Sequence, residues 1–201
     1  MVEINLRKLL YGGCVGLLLS GTAQAASVTY LLNENNAGLP AMSYGTVMLS
    51  DNTGGGVTFT VQPENLTQGG NFGIQNFGFN SNLTLNSSNY TLPTGWTFGT
   101  NSNLDGYGSF DDITSGNGTN RQSSLTFSVN VGNIKDYQLA NSNGNYFAAH
   151  IAGFNNINNK GSVVTSAYFA SDVTPVPEAN TWAMMSVGLA ALGLRLRRRR
   201  V

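Results

Sequence analysis

The sequence predicts an all-β protein: an antiparallel β-sandwich or jelly-roll-like domain set between two short terminal segments of different character. Three observations carry this. Asn, Gly, Ser and Thr fill 87 of 201 positions, and all four disfavour helix interiors. The apolar residues of the long middle region come in short runs alternating with polar ones, the period of a half-buried strand. Clusters of Gly, Asn and Ser, the composition of turns, separate the runs.

Taken in order, residues 1–25 read as a secretory signal peptide with a helical core. Arg7 and Lys8 close a short basic region, and residues 9–19 supply an apolar run. Gly21 and Thr22 break that run. Ala23 and Ala25 then place small residues where a signal peptidase inspects the chain, so cleavage is expected before Ala26. The single cysteine, Cys14, lies inside this segment. The mature chain therefore has no thiol with which to form a disulfide.

Residues 26–174 form the working domain. Strands are predicted over 27–32 and 44–49. Gly54-Gly55-Gly56 makes a turn into the next, where Val57, Phe59 and Val61 alternate with Thr58 and Thr60. A run over 72–79 follows. The clearest strand is 125–131, with Leu125, Phe127, Val129 and Val131 on one face. Two more are predicted over 146–154 and 163–170. So much Asn and Gly would also suit a disordered coil, but regular alternation of large apolar residues argues for a packed sheet.

Charge divides the chain in the same way. Residues 1–25 carry a net +1, residues 26–174 a net −5 and residues 175–201 a net +4. Only 10% of residues are charged, and no basic face exists in the middle region for nucleic acid to bind.

The domain is poor in catalytic groups. A Ser-His-Asp triad needs a histidine, and the chain has only His150. It is predicted on a strand face opposite Phe147, Ala149 and Ile151, as a hydrogen-bonded surface group. Partners for a zinc site are lacking. Asp111 and Asp112 are adjacent and would point to opposite faces of a strand, which does not suit a glycosidase pair. No enzyme activity is expected. Residues 101–112 have the spacing of a calcium loop, with Asn101, Asn103, Asp105 and Asp112 as ligands and Gly106 at the sharp turn. The same segment also reads as a turn leading into a strand with Tyr107, Ser109 and Asp111 on one face. No other cofactor is implied. Trp96 is the residue best suited to stack on a sugar ring, and it suits the core equally.

The C-terminal segment, 175–201, has three parts in fixed order. Val176-Pro177-Glu178 comes first, with Trp182 shortly after. A 13-residue uncharged stretch follows over 182–194, about 20 Å as a helix and short for a membrane span. Arg195 and Arg197 to Arg200 end the chain and hold it on the cytoplasmic side. This arrangement resembles the PEP-CTERM sorting signal of Gram-negative bacteria, with Ala179 where the second proline of that motif usually stands. The resemblance implies export through the inner membrane, transient anchoring there by a short transmembrane helix, and processing by an exosortase. It also implies a final place at the cell surface or in an extracellular matrix with exopolysaccharide. Two roles then fit the domain: a structural, biofilm-associated matrix protein, or a carbohydrate-binding module.

Overall fold

The computed structural model describes residues 26–114, 118–171 and Leu189. The described residues form two antiparallel sheets packed face to face, so the predicted β-sandwich is the observed fold. Eleven strands build it: β1 (Ser27–Leu31), β2 (Glu34–Asn35), β3 (Gly45–Asp51), β4 (Val57–Pro63), β5 (Gln68–Phe79), β6 (Tyr90–Thr91), β7 (Thr97–Leu104), β8 (Gly108–Thr114), β9 (Leu125–Val129), β10 (Phe147–Ile157) and β11 (Val163–Ser171). One sheet has the order β1-β3-β4-β9-β6 and the other β2-β11-β10-β5-β8-β7. The second curls into a half-barrel.

Alternation becomes burial as a pleated strand requires. On β4, Val57, Phe59, Val61 and Pro63 are buried while Thr58, Thr60 and Gln62 are not. Its register runs unbroken against β3, from Gly45 opposite Pro63 to Asp51 opposite Val57. On β10, Phe147, Ala149 and Ile151 face the core and His150 takes the opposite face.

The core is aromatic. Phe59 lies parallel to Phe127 at 4.7 Å and edge-on to Tyr137 at 5.4 Å. Phe77 stacks on Phe147 across the adjacent strands β5 and β10, at 5.9 Å. Offset and edge-to-face pairs of this kind add about 0.5–1.5 kcal/mol each beyond area burial. The two sheets are held together largely through such rings.

A second, smaller apolar cluster lies on the outer face of the curled sheet. Leu104, Tyr107 and Phe110 of the β7–β8 hairpin fold over Ala148 and Ala170. Gly78 makes this possible, since a Cβ there would stand 2.9 Å from Phe110 Cβ.

No helix among the described residues is long and apolar enough to cross a membrane. The predicted signal helix and sorting helix fall outside the described residues, apart from Leu189, which is helical and exposed.

Candidate functional site

The β7–β8 hairpin carries the one ionisable group that the fold half-buries in a polar cleft. Gly99 pairs with Asp112 and Ser102 pairs with Phe110, so two residues of β7, Thr100 and Asn101, stand opposite Asp111 alone. This is a β-bulge, a device that re-aims side chains and opens a ladder locally. Asn101 adopts φ of 54°, a left-handed conformation that asparagine tolerates better than most residues.

Asp111 faces the same way as its register partner Phe79, towards the space between the sheets at their edge. The cleft beside it has a volume of about 210 Å³ and is lined by Asn80, Ser81, Thr100, Asn101, Ser109, Phe110 and Asp111. Burial raises the Asp111 pKa above the ordinary carboxylate value, and a hydrogen bond from the Asn101 backbone partly offsets it. The Asn80 amide is oriented by donating to Leu139 O at 3.1 Å. Behind the cleft, the Tyr90 ring stacks on Phe98 at 4.4 Å, and its hydroxyl is buried without a hydrogen-bond partner. Burial, and then the Asp111 charge, push the Tyr90 phenol far above its ordinary pKa.

A second constellation lies on the outer face of the curled sheet. His150 stacks on Tyr168 at 4.4 Å and 13°, and its Nε2 is 2.6 Å from Ser166 Oγ. Burial, with Arg121 adding to it, lowers the His150 pKa below 6.5, so the ring is neutral at physiological pH. The Arg121 guanidinium itself donates to Gln75 Oε1 and to the Asn71 carbonyl. Sequence reasoning placed His150 on the correct face and missed Ser166. A turn at residues 158–161 alone would set His150 opposite Ala170. The bulge between Ala152 and Asn156 shifts the register so that it meets Tyr168.

The other predicted positions fall as follows. Asn101, Asn103, Asp105 and Asp112, the residues named for a calcium loop, belong to the β7–β8 hairpin and its turn. The segment is an extended hairpin, with Asn103 paired to Ser109. Asp105 sits at the tip, where the Asn36 side-chain amide donates to its backbone carbonyl at 3.3 Å. Among the described residues no group of three or more His, Cys, Asp or Glu is placed to hold a metal ion.

Trp96 is also corrected as a sugar-stacking residue. It is 6% exposed, and its indole N–H donates to Asn120 O at 2.8 Å. The ring is part of the apolar core and its one polar atom is satisfied within the fold. Tyr107 and Tyr137 are buried too, and burial pushes the Tyr137 phenol up to about 12.

Of the cleavage positions, Ala26 is the first described residue, exposed, with its carbonyl accepting the Asp51 N–H at 2.9 Å. Ala23 and Ala25 lie outside the described residues, as do Val176, Pro177, Glu178 and Trp182.

Comparison with known families matches the tail directly. The family model of the PEP-CTERM protein-sorting motif covers residues 175–200. No curated protein and no solved structure matches the chain.

Proposed function

We propose, from the premise that the chain carries a PEP-CTERM sorting motif and is exported as an exosortase substrate, that its β-sandwich is a structural, non-catalytic component of the cell surface or of an exopolysaccharide matrix. The observation that carries this reading is the division of labour along the chain. The sorting motif is matched over residues 175–200, and among the described residues the buried apolar core runs from Tyr30 to Ala170. The folded domain is thus cargo, and the ends are address labels. Signal peptidase removes the first segment before Ala26. The short apolar stretch then pauses in the inner membrane, stopped by the terminal arginines, until exosortase acts.

A passive role suits the chemistry of the cargo. His150 and Ser166 share a hydrogen bond on the face of β10 turned away from the core, the kind of satisfied surface histidine a non-catalytic sheet carries. The domain holds its shape largely through ring packing.

Intact-mass measurement of the exported protein tests the reading. The expected mass lacks residues 1–25 and the arginine tail. Pro177→Ala combined with Glu178→Ala should leave the tail in place and the protein in the inner membrane. Arginines persisting on the released protein, or processing unaffected by the double change, would overturn it.

A further inference from the structure

The Asp111 cleft is a site of defined chemistry that the sorting function does not use. We propose that it binds one ring of a neutral sugar, with Asp111 accepting from the sugar's hydroxyls and the Asn and Ser side chains around it completing the hydrogen bonds. The lining decides the ligand class. An anion is disfavoured by the carboxylate at the centre. A multivalent cation wants several carboxylates, and among the described residues Asp111 is the one acidic side chain lining the cleft. An apolar ligand finds little to cover, because Phe110, the single large apolar residue of the lining, is 1% exposed and already spent on the outer cluster.

What remains is a small neutral molecule that both donates and accepts hydrogen bonds at several points. Sugar hydroxyls do this. They donate to a carboxylate and accept from an amide, and Asn80, Asn101, Ser81, Thr100 and Ser109 offer such amides and hydroxyls around the carboxylate. A carboxylate has about four lone-pair sites. The Asn101 backbone takes one, and Asp111 lines the cleft. At about 210 Å³ the space is smaller than the roughly 300–1,000 Å³ of drug-sized pockets and suits a single ring. The bulge supplies the geometry, since it sets Thr100 and Asn101 together against Asp111, where a regular ladder would place one residue.

The inference rests on the surface reading only for where the sugar would be met. The chemistry of the cleft stands apart from the sorting motif, so the two can fail separately: mass and location decide one, and sugar binding decides the other.

The test is an amide-resolved NMR titration of the exported protein with methyl glycosides of glucose, galactose, mannose and N-acetylglucosamine. Glucuronate and calcium chloride are titrated in parallel. At least one neutral glycoside should shift the signals of Asn80, Ser81, Thr100, Asn101 and Ser109. Asp111→Asn, which keeps the shape and removes the charge, should weaken that binding about tenfold or more. It should not lower the melting temperature, because it removes a desolvated charge. Lys160→Ala, in the separate cleft lined by Asn36, Gly38 and Asn158, should bind as the parent does. No shift with any glycoside, equal binding by Asp111→Asn, tighter binding of glucuronate, or shifts of the cleft signals with calcium in place of sugar would each overturn the proposal.

Discussion

His150 is half-buried beside Tyr168 and hydrogen-bonded to Ser166, and burial makes its protonated form unfavourable. The sign of the consequence follows by linkage. Its folded pKa lies below the unfolded 6.5, so between those values the unfolded chain binds more protons. The contribution to stability is complete above about pH 6.5 and is lost as pH falls towards the folded value. The melting temperature should therefore drop on acidification from about pH 7 to 5, and His150→Gln should flatten that drop. An equal slope in the variant would place the acid sensitivity elsewhere. Asp111 acts in the opposite sense at lower pH, since its raised pKa favours the folded state when protonated. At this scale the sequence was legible for faces and not for partners. Alternation put His150 opposite Ile151, but Ser166 became its neighbour through a register shift that no residue type announces. Trp96 shows the same limit, because its burial depends on Asn120, 24 positions away, accepting the indole N–H.

Strands with strong alternation could be read directly. The β3–β4 hairpin follows from its Gly-rich turn and its two apolar faces, and its register is regular throughout. The strand β7, Thr97–Leu104, was not predicted, because Thr-Phe-Gly-Thr-Asn-Ser-Asn-Leu carries almost no period-two signal. It is an edge strand whose core contact is concentrated at its ends, Phe98 and Leu104. The very short β2 and β6 are invisible for the same reason, and they serve as blunt sheet edges that give a second chain little to pair with. The candidate sugar cleft depends on this weakly encoded part of the fold, so only the alternation of Ser109 and Asp111 was readable beforehand, and Tyr107, grouped with them there, joins Phe110 in the outer cluster instead. Gly78 tests how the hairpin is held. A methyl group there meets both Phe110 Cβ and Phe110 Cγ at 2.9 Å, and neither is the far end of a flexible side chain. Gly78→Ala should cost about 1–3 kcal/mol in denaturant unfolding. An unchanged midpoint would mean that the hairpin does not rest on the sheet as described.

Across the whole molecule the decisive feature is where the core stops. Its first residue is Tyr30 and its last is Ala170, counting both apolar clusters. The outermost strands are closed locally: Ala26 O accepts from Asp51 N, and Ser171 O accepts from Tyr146 N at 2.8 Å. Both outer strands thus close within residues 26–171, so loss of the terminal segments on export should leave that packing untouched. That separation also explains why the class of fold was legible in residues 26–174, where composition, alternation and turn clusters agree. The terminal segments are read by their charge and apolar runs, and the domain by its alternation, with no element serving both. A chain cut to residues 26–174 is therefore expected to fold by itself, giving a β-dominated far-ultraviolet spectrum and one cooperative thermal transition, because the two sheets share a single aromatic core. Chelator should leave its melting temperature unchanged, since the β7–β8 hairpin is closed by backbone pairing and by Asn36, not by a cation. A helix-rich spectrum or a broad, gradual loss of signal would show that the domain needs its ends. A melting temperature lowered by chelator would restore calcium to the hairpin and remove the ground for treating the Asp111 cleft as a neutral site.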